Sequence, residues 1–168
     1  GAHRLNEIAI GALCRVHSTD APIQVVHLTG KADESLVRRA YQDAGVVAVV
    51  FGFLREMDKA YNAADIAISR AGAASCMELS AYGVPALLVP LPSAKRDHQT
   101  ENAKELVATG SADIMAETEL SSDRLAVYIE SCCKTPAKLD GMKAAMRNMH
   151  VADAADKLAD LVAKTGAG

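Results

Sequence analysis

Short apolar runs alternate with longer stretches of helical periodicity through most of the chain. The runs are Ile23–Leu28 (IQVVHL), Val46–Phe51 (VVAVVF), Asp65–Ser69 (DIAIS), Pro85–Val89 (PALLV) and Ala112–Met115 (ADIM). They are rich in Val, Ile and Leu and nearly continuous rather than alternating, the mark of strands buried on both faces of a parallel sheet. Between them the spacing predicts helices over His3–Val16, Asp33–Ala44, Met57–Ala63, Ala73–Tyr82 and His98–Ala108. After Ser121 only helical patterns follow, near Ser122–Cys133, Ala137–Met149 and Ala152–Lys164. These are expected to pack across the sheet or along its edge.

Strands that alternate with helices predict an α/β fold: a doubly wound, Rossmann-like parallel sheet with a helical C-terminal tail. The opening Gly1-Ala2-His3-Arg4-Leu5-Asn6 reads as the end of a glycine loop entering a helix, so the first strand is expected to be missing from the chain. In a Rossmann half that strand lies between the second and the fourth. The runs Ile23–Leu28 and Asp65–Ser69 should then flank a slot and make no ladder with each other. No repeat or linker interrupts the pattern, which reads as one domain over residues 1–168.

At 168 residues, half of them apolar, the chain can bury a core without staples. A net charge of −3 and the lack of a basic stripe argue against nucleic acid as a partner. With no Trp and few other aromatics there is no platform for stacking bases. No apolar run reaches the length of a membrane span. Cys14, Cys76, Cys132 and Cys133 form no CxxC pair, so they read as reduced apolar residues of a cytoplasmic protein, with no metal site.

In open α/β sheets ligands bind at the carboxyl ends of the strands. After the DIAIS run comes Ser69-Arg70-Ala71-Gly72-Ala73-Ala74-Ser75, a turn of small residues that opens a helix. The free amides of Ala73–Ser75 at the positive end of the helix dipole suit a diphosphate. Glu78 lies one turn further in, where a carboxylate can grip a vicinal diol such as a ribose. The same residues also fit a plain glycine turn with a Ser75–Glu78 capping box. The next loop, Pro90–Arg96, leads through Asp97, a natural N-cap, to His98, Gln99 and Asn102, which crowd one end of a helix face. Carboxamides donate and accept, which suits sugar hydroxyls, although an exposed polar first turn has the same composition.

Elsewhere the sequence offers less. His27 reads as a satisfied strand-end histidine rather than a base. Gly30-Lys31 lacks the rest of a phosphate-binding loop. His3, His17 and His150 have no evident partner, and Asp153–Lys164 reads as a solvated helix face.

The run from Asp65 to Ala103, DIAISRAGAASCMELSAYGVPALLVPLP followed by DHQTENA, closely resembles the C-terminal domain of the MurG family. VHLTGK at Val26–Lys31, the F-x-x-x-M segment at Phe53–Met57 and the opening GAHRLNE match in order and spacing. The resemblance implies the C-terminal half of a GT-B fold, whose family transfers N-acetylglucosamine from UDP-N-acetylglucosamine to lipid I to give lipid II of peptidoglycan. Carried over by position, Phe53 and Leu54 would frame the uracil. Ala73, Ala74, Ser75, Cys76, Met77 and Glu78 would form the main substrate-binding segment, with amides on the diphosphate and Glu78 on the ribose. His98, Gln99 and Asn102 would line the ribose and the sugar. His98 stands where some relatives carry Gln, Ala71 replaces a frequent Ser, and Ser75 a frequent Thr.

The resemblance further implies an inverting transferase that needs no metal and no cofactor. The catalytic base and the lipid-linked acceptor site would belong to an N-terminal domain, so no catalytic residue is expected here. The whole enzyme would be a peripheral protein at the inner face of the membrane. Two other readings fit: another GT-B enzyme, such as a UDP-N-acetylglucosamine 2-epimerase or a glycolipid glycosyltransferase, or a donor-binding subunit inactive without a partner. A dehydrogenase is disfavoured because no GxGxxG follows a strand.

Overall fold

The computed structural model describes residues 2–19, 23–92 and 98–149. In chain order the elements are α1 (His3–His17), β1 (Val25–Leu28), α2 (Glu34–Asp43), β2 (Ala48–Phe51), α3 (Met57–Ala63) and β3 (Ala67–Ser69). They continue with α4 (Ala73–Tyr82), β4 (Ala86–Leu88), α5 (His98–Ala108), β5 (Ala112–Ile114), α6 (Ser122–Lys134) and α7 (Pro136–Met149). The predicted helix Ala152–Lys164 lies outside the described residues.

Every strand pair is parallel: Val25–Leu28 of β1 aligns with Ala48–Phe51 of β2, while β4 lies between β3 and β5. The pairing forms two sheets, β1–β2 and β3–β4–β5. As expected, β1 and β3 do not pair. The helix α1 joins the two sheets. Its Leu5, Ala9, Ala12 and Val16 pack with Leu87 and Val89 at β4, and its Ile10, Leu13 and Cys14 reach the cluster of Val37, Tyr41, Val46 and Val50 around β1–β2.

Alternation along the central strand decides the layers. Leu87 and Val89 face α1 and α6, where Leu125, Ala126 and Ile129 complete the cluster. Ala86 and Leu88 point the other way, to Cys76 and Leu79 of α4, Ala103 and Leu106 of α5, and Met146 of α7. Helices therefore cover both faces of this sheet. Of the described helices of the tail, α6 joins one face and α7 the other. On α1, Gly11 permits the close approach of α6, since a Cβ there would come within 2.5 Å of Ser122 Oγ.

The strands are shorter than the apolar runs. Val46 donates its N–H to Tyr41 O and so closes the end of α2 before β2 begins.

Candidate functional site

The turn after β3 is the centre of the arrangement. Ser69 ends the strand, Arg70 and Ala71 turn the chain, and Gly72 is the N-cap of α4 with extended backbone (φ −64, ψ 146) and no side-chain cap. The first intrahelical bond runs from Cys76 N to Gly72 O, at 2.9 Å. Ala73, Ala74 and Ser75 are thus the first three helical residues, whose amides have no acceptor within the helix. Ala73 and Ala74 are exposed, and Ser75 is half-buried. This is a bare helix end that carries the positive end of the helix dipole, the kind of site that favours anions.

One expectation changes here. Ser75 is not an N-cap, so there is no capping box: Glu78 instead accepts a hydrogen bond from Tyr61 Oη, 2.8 Å from its Oε2. Cys76 differs from the exposed Ala73 and Ala74 before it. Its amide is spent in the helix, and its thiol is buried in the core, where burial pushes its pKa up. Met77, by contrast, is 73% exposed.

The start of α5 is tied to this turn. Asn102 Nδ2 donates to Ala71 O at 3.0 Å, and Gln99 Oε1 accepts from Leu91 N at 2.9 Å. Both carboxamides therefore hold loops at the ends of β3 and β4. His98 is exposed beside them. Residues 93–97, with the predicted Asp97 cap, lie outside the described residues. Phe53 (71% exposed) and the half-buried Leu54 stand at the carboxyl end of β2, in the other sheet.

Sequence reasoning passed over the residues that brace this edge. Arg70 donates from Nη1 to Glu117 Oε2 at 2.9 Å and to Val89 O at 3.3 Å. One ion pair thereby joins the loop ends after β3, β4 and β5. The Arg70 Nε is buried without a partner among the described residues. Tyr61 of α3 was missed too. Its ring stacks on Tyr82 of α4 at 5.2 Å, and burial together with the bond to Glu78 pushes its phenol pKa up. An Arg just before a glycine turn and a Tyr inside a short helix were visible, but nothing local named their partners.

A second polar network lies where α1 starts and β1 ends. The buried Asn6 donates from Nδ2 to Thr29 O (2.9 Å) and to Asp33 Oδ2 (2.7 Å), which leaves its Oδ1 facing His27 Nε2 at 3.2 Å. That orientation makes Nε2 the protonated nitrogen of His27, and Nδ1 accepts from Tyr41 Oη at 2.8 Å. His27 is the satisfied strand-end histidine that was expected. His3 does have partners, Asp33 and Glu7; its bond to Asp33 raises its pKa, whereas bonds from Asn6 and His3 lower that of Asp33. Burial lowers the pKa of His27, against a smaller opposing pull from Asp33. The unfolded chain then takes up a proton that the folded one resists. The stability is complete above the unfolded value, about pH 6.5, and is lost as pH falls below it. In a pH series of melting temperatures the parent should drop more steeply below that point than His27→Gln. Equal slopes would rule His27 out as the cause.

Fold and sequence together define the class. The chain belongs to the family described as the glycosyltransferase family 28 C-terminal domain, which matches residues 1–158. Among curated proteins it is 40% identical over 159 residues to the UDP-N-acetylglucosamine--N-acetylmuramyl-(pentapeptide) pyrophosphoryl-undecaprenol N-acetylglucosamine transferase of Alkalilimnicola ehrlichii, covering 95% of this chain and 44% of that protein. The transferase of the same name from Methylococcus capsulatus is 41% identical over the same shares. Among solved structures, MurG of Acinetobacter baumannii superposes with a TM-score of 0.85 at 32% identity, covering 98% of this chain and 47% of that one. The chain thus spans less than half the length of the relatives it matches.

Proposed function

We propose that this chain is the donor-binding half of a GT-B glycosyltransferase that moves N-acetylglucosamine from UDP-N-acetylglucosamine to lipid I, forming lipid II for peptidoglycan. The observation that carries the reading is the bare N-terminus of α4, with a carboxylate one helical turn away and two carboxamides braced beside it. In this reading residues 1–168 are one donor domain. The lipid-linked acceptor and the catalytic base belong to a preceding domain of the whole enzyme, which acts as a peripheral protein at the inner face of the membrane. No helix among the described residues is long and apolar enough to cross a membrane.

Chemically, this half holds the leaving group. As an acceptor hydroxyl attacks the anomeric carbon, negative charge grows on the departing diphosphate. The amides of Ala73, Ala74 and Ser75 are already oriented toward it, which favours the transition state without reorganisation. Glu78 holds the ribose, Phe53 and Leu54 frame the uracil, Met77 flanks the sugar nucleotide, and His98, Gln99 and Asn102 meet the ribose and the sugar. No metal is needed to neutralise the diphosphate when a helix end does so.

The test is nucleotide selectivity. UDP-N-acetylglucosamine should bind more tightly than ADP-, GDP- or dTDP-sugars when each is titrated against the chain. Equal binding of all four would refute the uracil frame and with it the donor assignment.

A further inference from the structure

We propose that Tyr61 is a positioning residue that presets the Glu78 carboxylate for the nucleotide's ribose hydroxyls; this rests on the donor-binding reading above. Glu78 sits on the exposed flank of α4, and no cation pairs with it among the described residues. An exposed glutamate samples many rotamers, and freezing it on a ligand costs conformational entropy at the moment of binding. Here its Oε2 is already held by the Tyr61 hydroxyl at 2.8 Å.

The donor is itself rigid. The Tyr61 ring stacks on Tyr82 with ring centroids 5.2 Å apart and 22° between the planes, and it packs against the core cluster that contains Cys76 and Leu79. Both stacking partners of the Glu78 clamp therefore stand on elements that flank the site, α3 and α4. The chemistry of the donor also matters. A lysine in this place would neutralise Glu78 and compete with a diol for its oxygens. A phenol donates one hydrogen bond and leaves the negative charge in place. A carboxylate offers about four lone-pair positions. Tyr61 occupies one, and the others remain to accept from two adjacent hydroxyls.

Tyr61→Phe tests this, because it keeps the ring and its stack and removes only the hydroxyl. UDP and 2′,3′-dideoxy-UDP are titrated by NMR, which reads weak binding, against the parent, Tyr61→Phe, Glu78→Ala and the double variant. Tyr61→Phe should weaken UDP roughly three- to tenfold, the factor for immobilising one rotamer-rich side chain on binding. It should leave dideoxy-UDP unchanged and add nothing to Glu78→Ala. Equal losses for both ligands would mean a general structural role and overturn the proposal. Unchanged UDP binding in Tyr61→Phe, with Glu78→Ala still weakened, would overturn it while leaving the donor reading intact. If Glu78→Ala binds UDP as the parent does, the ribose assignment fails and Tyr61 has nothing to position.

Discussion

Glu117→Ala should cost about 3 kcal/mol of folding stability, although Glu117 touches no part of the proposed ligand. Its side chain is 10% exposed and that of its partner Arg70 is 16% exposed. Removing one member of a buried pair leaves the other charge uncompensated, which costs about 3–5 kcal/mol. The lower end applies because Arg70 keeps some solvent and its bond to Val89 O. For a domain of this size the melting temperature should fall by roughly 6–12 °C. Arg4, whose nitrogen lies 3.9 Å from the other Glu117 oxygen, is 61% exposed, so Arg4→Ala should change stability by less than about 1 kcal/mol. The paired change Arg70→Met with Glu117→Met should recover most of the loss, since apolar replacements of similar volume often match a buried pair. The partnerless Arg70 Nε argues in the same direction, because the existing pair is imperfectly satisfied. A melting temperature of Glu117→Ala within a degree or so of the parent, on the scale of about 2–4 °C per kcal/mol, would show that the pair does not brace the loops.

The pair also shows why part of the site was illegible in the sequence. The helices α3, α4 and α5 emerge with the bounds their periodicity predicts, because amphipathic spacing and a Gly or polar start are local signals. The strand ends do not. Val46 lies in an apolar run, yet its amide is taken by Tyr41 at the end of α2, a choice set by how that helix terminates. The two faces taken by α6 and α7 were equally hidden: an apolar stripe says that a helix packs, and only topology says on which side. That β1 and β3 stand apart was legible, because strand order follows from the Rossmann pattern.

Within the candidate site, the grouping of Ala73–Ser75 with Glu78 was legible because one turn and one helix hold them together. Arg70 and Glu117 are 47 positions apart, and Asn6 reaches Thr29 and Asp33 across 23 and 27. Nothing near any of these residues names its partner. Cys76 stands apart from its neighbours: contiguity in the motif grouped it with Ala73–Ser75, whereas the helical period turns its thiol into the core one position after Ser75.

Glu78→Ala should weaken UDP-sugar binding by roughly ten- to a hundredfold. A hydrogen bond to a charged acceptor is worth about 1.5–3 kcal/mol, and the loss of the carboxylate removes the acceptor proposed for the ribose hydroxyls. Folding should hardly change, and the reason is structural. Without a capping box, Glu78 gives nothing to the α4 N-terminus. Its one observed bond is to the Tyr61 hydroxyl, which is left able to turn to water because that bond lies at the exposed flank. Stability and affinity thus separate in opposite senses at the two acidic residues: Glu117→Ala should lower the melting temperature strongly, and Glu78→Ala should leave it nearly unchanged while binding falls. Calorimetric titration of UDP-N-acetylglucosamine beside a thermal melt on each variant reads both quantities. If Glu78→Ala binds the sugar nucleotide as tightly as the parent, the carboxylate serves only to anchor Tyr61, and the ribose must be held elsewhere along the carboxyl edge.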